Sequence, residues 1–227
     1  IILDILLFLF HNYYQMISIS GIDNQKELEL LPYFNKDAVS VLIGKNGRNL
    51  DKKIARLTKI GFLETLKKGL YVSSAYVEKA SKEPYAEFVA NLLRTPSYIS
   101  SEYVLAKEGL IPESVFSITS ITTKTSRTYS NFLGSFSYKS IKPELFGGYQ
   151  ESFWQDKIIY IASKAKALFD YFYLKKMLDI EREIYDSRIN WDNFIQDDLD
   201  EFEKYVTSTS GRKMFNVLKL IKKTYVD

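Results

Sequence analysis

Cysteine is absent from the 227 residues and histidine occurs once, at His11. The first absence excludes disulfides, thiolate nucleophiles and cysteine-ligated zinc. The second leaves almost no room for a histidine-based metal or acid–base site. A chain without disulfides suits a reducing compartment, so a cytoplasmic location is expected. Long apolar runs are missing too. The stretch IILDILLFLF at residues 1–10 is too short to span a bilayer, contains Asp4, and lacks the basic start and small-residue cleavage site of a signal peptide. No membrane partner is expected. The first methionine is Met16, so residues 1–16 are expected to be a fragment leader, non-native or upstream of the true start. Net charge is also small: 31 Lys and Arg against 28 Asp and Glu give +3, and attraction to a polyanion has to come from local clustering. Apolar residues are plentiful, at 46% hydrophobic and 15% aromatic, enough to bury one or two ordinary cores.

The charge is indeed clustered. Between residues 45 and 69 stand eight cations, Lys45, Arg48, Lys52, Lys53, Arg56, Lys59, Lys67 and Lys68, against Asp51 and Glu64, a local net charge of +6 that leaves −3 for the rest of the chain. Leu50, Ile54 and Leu57 recur at i, i+4 and i+7, one narrow stripe of a helix, and Lys52, Lys53, Arg56 and Lys59 fall on roughly the other side. Asn49 is placed to cap the start of this helix and Gly61 to end it. FLETL, then Lys67-Lys68-Gly69, then LYV predict a hairpin with a basic tip. Upstream, QKELELL before Pro32 and the run from Asn35 or Lys36 to Ile43, closed by Gly44, predict two more helices. Three helices and a basic hairpin are the plan of a winged helix-turn-helix, whose recognition helix and wing meet DNA phosphates. Arg48, Asn49, Lys52, Lys53 and Arg56 are the candidates for reaching base edges.

Two enzyme-like patterns fail in the same stretch. Gly44-Lys45-Asn46-Gly47-Arg48 resembles a phosphate loop but lacks both the glycine spacing and the Lys-Ser/Thr that hold phosphate and magnesium. Asp51-Lys52-Lys53 has the triplet of a metal-dependent nuclease, on a helix where it does not build that strand-based site. No nucleophile, base and metal-ligand constellation is legible, so no catalytic residue, metal or cofactor is expected.

After Val72 the polar stretch 73–82 reads as a linker. Tyr85, Phe88, Val89, Leu92 and Leu93 then repeat at helical spacing behind Pro84. Ser100 is placed to cap a helix that Gly109 ends. From Ser114 to Ile141, alternating Ser, Thr, Ile, Phe and Tyr, broken at Thr125-Ser126 and Leu133-Gly134, predict three antiparallel strands. Residues 164–178 return to a helix that is apolar nearly all round and therefore buried, with Lys166 and Asp170 spaced for an ion pair inside it. Lys124, Arg127, Lys139 and Lys142, on or near the strands, are candidates for extending a DNA surface. Asp179 to Glu203 carries ten acidic residues against Arg182 and Arg188, by default a solvated helix face.

TPSYISSEYVLAKEGLIPESVFSITSITTK, FLGSFSYKSIKPELFGGY and IASKAKALFDYFYLKK, in that order, resemble the antitoxin domain of the AbiEi family, the antitoxins of type IV toxin–antitoxin systems. GRNLDKKIARLTKIGFLETLKKGLYV resembles the winged-helix half of the same family. The resemblance covers about residues 25 to 178, and the region after Leu178 matches no motif of it. It implies a repressor of its own operon that counters a nucleotidyltransferase toxin, with Ser97, Tyr98, Ser100, Gly109, Lys142, Pro143, Lys166 and Asp170 carrying the antitoxin-domain motif. The toxin is a functional partner, not necessarily a physical one, and the operator is expected to be an inverted repeat. The resulting expectation is an α+β protein. Its parts are a leader at 1–16, a winged helix at 17–75, a linker at 76–82, and an antitoxin domain at 83–227 with a small antiparallel sheet and helices. The alternative is a protein-interaction module, or a stand-alone regulator with no toxin partner.

Overall fold

A computed structural model of the protein describes residues 24–209 and 211–226; the expected leader lies outside them. The fold is α+β, with one sheet of three strands and one of six among the described residues. The chain divides into two compact units between Ala80 and Ser81. No described helix is long and apolar enough to cross a membrane.

The first unit runs α1 (Asn24–Leu28), β1 (Phe34–Asn35), α2 (Lys36–Ile43), α3 (Gly47–Lys59), β2 (Leu63–Lys67), β3 (Leu70–Ser73) and α4 (Ser74–Lys79). Asn35 caps α2 by accepting from the Ala38 amide at 2.8 Å. At α3 the Leu50 amide already bonds to the Asn46 carbonyl. Asn46 therefore holds the cap position, and Asn49, expected there, lies inside the first turn. The other end is as predicted: Gly61 takes φ 72°, its amide bonds to Thr58 O at 3.1 Å, and the Phe62 amide bonds to Leu57 O at 2.9 Å. That pair of bonds is a Schellman stop, which needs a residue tolerant of positive φ. Leu50, Ile54 and Leu57 point into a core with Leu28, Phe34, Val39, Leu42 and Leu63.

β2 and β3 form an antiparallel hairpin, bulged between Thr65 and Lys67, and β1 pairs on the other side of β3. Gly69 turns the tip at φ 81°. The stretch read as a linker is largely helical. Ser73 accepts from the Tyr76 amide to cap α4, and Ser74 ties it back to Gly61 O at 2.6 Å. Its polar composition reflects a helix with no buried residue, not an absence of structure.

The second unit runs α5 (Lys82–Leu93), β4 (Tyr98–Ile99), α6 (Glu102–Lys107), β5 (Ser117–Thr122), β6 (Arg127–Asn131), β7 (Gly134–Ser140), β8 (Tyr149–Trp154), β9 (Lys157–Ala162), α7 (Lys164–Leu174), α8 (Ile180–Asp186), α9 (Gln196–Thr207) and α10 (Arg212–Val226). The strand order is β6-β7-β5-β4-β9-β8. The three predicted strands are present, but not as an antiparallel meander. β6 and β7 form a hairpin, whereas β5 pairs with β7 in parallel, Ser117 opposite Ser135 through Thr122 opposite Ser140. Residues 123–126 carry the chain across to the outer edge, where Arg94 holds the Thr125 hydroxyl at 3.0 Å. Alternation fixes which face a residue takes and says nothing of which strand lies beside it.

α5 packs through Tyr85 and Phe88 on Trp154, with ring centroids 5.2 and 5.5 Å away. α7 begins at Ser163, which accepts from the Lys166 amide. It ends at Leu174, short of the predicted residue 178, as the chain turns to pair Lys175 with Glu183 at 3.0 Å. The acidic run forms α8 and α9. Leu199, Phe202 and Val206 of α9 are buried, and Lys164–Asp198 and Lys222–Glu203, at 2.8 and 2.7 Å, offset part of its charge.

Candidate nucleic-acid interface

With Leu50, Ile54 and Leu57 inward, the opposite stripe of α3 consists of Arg48, Lys52, Ala55 and Lys59, all exposed, with Asn49 and Arg56 exposed beside it. Lys53 is half-buried at the flank, away from the centre of that stripe, and Lys67 is half-buried too. Lys45, before the helix, and Lys68, at the hairpin tip, are exposed. The one carboxylate of α3, Asp51, is drawn to Lys36 at 2.5 Å. That hydrogen bond raises the Lys36 ammonium above its ordinary value. The acidic side chain thus sits on the side toward α2, leaving cations and a small alanine along the outward stripe.

The approach to α3 is fixed by a residue whose role the sequence did not reveal. Ser40 reaches Lys45 O at 2.8 Å and the Asn46 side-chain oxygen at 2.5 Å, while its carbonyl accepts from the Gly44 and Lys45 amides. The turn that carries Lys45 and opens α3 is therefore tied to α2 at both ends. Nothing in a lone serine within an amphipathic helix signals this.

Of the four strand-region cations, Lys139 lies 2.6 Å from Glu102, Lys142 lies 3.9 Å from Glu144, and Arg127 packs over the Tyr129 ring at 5.4 Å. Lys124 is exposed. Burial would raise the Glu102 carboxyl, but Lys139 more than offsets this and holds it below its ordinary value.

The second-unit residues expected to carry a motif are mostly drawn inside. Lys166 and Asp170 form an ion pair at 2.8 Å with side chains 1% and 0% exposed. Tyr98 and Ser100 donate to the other carboxylate oxygen at 3.0 and 2.7 Å, and Lys166 also donates to Leu145 O at 2.8 Å. Its ammonium lies 4.7 Å from the Phe169 ring centre and 5.3 Å from that of Tyr205. Burial pushes the Asp170 carboxyl above its ordinary range against the pull of Lys166 and the two hydroxyls. Burial and Asp170 likewise hold the Tyr98 phenol well above its usual value, so it stays a donor.

Ser100, expected as a helix cap, is thus a ligand of Asp170, and Ser101 takes the cap position of α6 at φ 57°. Pro143 opens the short 3-10 turn that presents Leu145. Ser97 and Gly109 do not join the cluster: Ser97 is buried elsewhere on the same segment, and Gly109 turns at φ 69° after α6, where its carbonyl accepts from Asn193 at 2.9 Å. Tyr205 was not foreseen as part of this group.

Compared with known proteins, the chain matches no family model, and no curated protein matches it.

Proposed function

We propose that the chain is a DNA-binding transcription regulator whose first unit is a winged helix-turn-helix, with α3 as recognition helix and the β2–β3 hairpin as wing. The observation that carries this reading is the segregation on α3: three apolar side chains inward, Arg48, Lys52 and Lys59 along the outward stripe, and the only carboxylate withdrawn to Lys36. A face that merely needs to be solvated has no reason to exclude acids; one that lies along phosphates does. The order α1, β1, α2, α3, β2, β3 and the Lys68-Gly69 tip agree with the same plan.

Phosphate contacts come from Lys45, Lys59 and Lys68, and base-edge contacts from Arg48, Asn49, Lys52 and Arg56. The role of antitoxin and autorepressor, countering a nucleotidyltransferase toxin, rests on the resemblance of the second unit's motifs alone and is the narrower part of the proposal. Two experiments address the two parts. A gel-shift titration with duplex DNA from upstream of the gene should give a discrete complex that a scrambled duplex competes for poorly; equal binding to both would remove the operator reading. Co-expression with the product of the adjacent toxin-like gene should restore growth; no protection by folded protein would remove the antitoxin reading and leave the regulator.

A further inference from the structure

On the second unit, α8 and α10 border a groove of about 940 Å³, continued by a hollow of about 460 Å³ along α10. Ile184, Ile189, Trp191 and Leu220 supply its apolar lining, and Glu181 and Tyr185 of α8 and Lys223 of α10 line it as well. Lys219 joins Lys223 in lining the hollow. Tyr185 is 83% exposed, an aromatic ring held in water beside an apolar hollow. The charges are unspent as well: among the described residues none pairs with the side chains of Glu181, Lys219 or Lys223. Asp186 and Arg188, also at the groove, are already engaged, by Arg182 and by Glu113.

We propose that this groove is a self-association surface on which a second copy of the chain sits about a two-fold axis. Glu181 of each copy meets Lys219 and Lys223 of the other, and Tyr185 of each packs on the other's apolar lining. The charge pattern selects this occupant. A groove for a foreign acidic segment gains nothing from Glu181 on its wall, whereas a two-fold contact needs both signs on one patch, since every pairing is made twice with the roles exchanged. Aromatic anchors entering apolar pockets within a polar rim are the usual source of affinity at such contacts. The inference holds whether or not the first unit binds DNA.

Sedimentation equilibrium of the intact chain without DNA tests it. The mass should rise from 26.4 kDa toward twice that as concentration approaches about 100 μM, where a contact of modest size is populated. Lys219→Glu with Lys223→Glu should weaken association at least ~10-fold, with an unchanged circular dichroism spectrum because both side chains are exposed and unpaired. Adding Glu181→Lys to that pair should bring association back to within ~3-fold of the parent by exchanging the signs. A parent that stays at 26.4 kDa throughout, association that ignores the charge reversal, or a reversal the exchange does not restore would each overturn the proposal.

Discussion

The two units use charge in opposite ways. Among its described residues the first unit buries one polar side chain, Ser73, and keeps every cation of α3 at or near the surface, whereas the second encloses Glu87, Lys166, Asp170 and a set of serines and threonines. In the first unit, ionic residues that stand out in the sequence are available to a partner. In the second, the conspicuous ones are spent on the fold: Lys166 and Asp170, with side chains 1% and 0% exposed, join α7 to β4 and to the turn at Leu145. Charged residues that stand out in the sequence therefore mark a surface in one half of this molecule and an interior in the other.

The contrast can be broken at its strongest point. Asp170→Asn leaves the Lys166 ammonium buried without its counter-charge and should cost about 3–5 kcal/mol in urea unfolding. Adding Lys166→Met removes the stranded charge while the introduced asparagine side chain still accepts from Tyr98 and Ser100, and should recover at least about 2 kcal/mol. If Asp170→Asn proves harmless, the pair is not the clamp described. In the first unit the same kind of change should do the reverse. Lys52→Glu with Arg56→Glu should lower affinity for upstream DNA at least ~100-fold while moving stability by no more than about 0.5 kcal/mol. Denaturation and gel-shift curves on the same preparation separate the two effects.

Smaller changes sharpen the picture. Gly69→Ala forces a side chain into the φ 81° tip of the hairpin and should destabilise the first unit by about 1 kcal/mol, seen as a lower urea midpoint. The partly buried Lys139–Glu102 pair should show itself through pH. Because Glu102 titrates below its ordinary value of 4.5 in the folded chain, its contribution is present above that value and lost as pH falls through the folded one. Lys139→Met should therefore be less stable than the parent at neutral pH, with the difference shrinking in acid. A gap that stays constant down to pH about 3 would mean that the pair contributes nothing electrostatic.

Much of the first unit could be read in advance because its signals are local. A stripe of three apolar residues, a glycine after Ile60 and a glycine in a basic turn each act within a few positions, and each holds in the structure. Asn49 misplaced the helix start by one turn because Asn46 and Asn49 are equally good caps on paper; the tie from Ser40 to Asn46 favours the earlier one. The second unit was legible in pieces. Lys166 and Asp170 are four residues apart and gave the ion pair, but Tyr98 and Ser100 approach from about seventy positions earlier, and no local pattern announces them. The parallel pairing of β5 with β7 was hidden for the same reason. The acidic run concealed α9, whose Leu199, Phe202 and Val206 carry a helical period that the carboxylates around them obscured.

The most direct test of the reading of the first unit is the salt dependence of binding by the intact chain to duplex DNA from upstream of its gene. If α3 and the hairpin tip lie along phosphates, log K should fall linearly with log salt at a slope of about −2.7 or steeper, and Lys59→Gln with Lys68→Gln should make it shallower by about two units. A slope near zero, or one unchanged in the variant, would contradict the account.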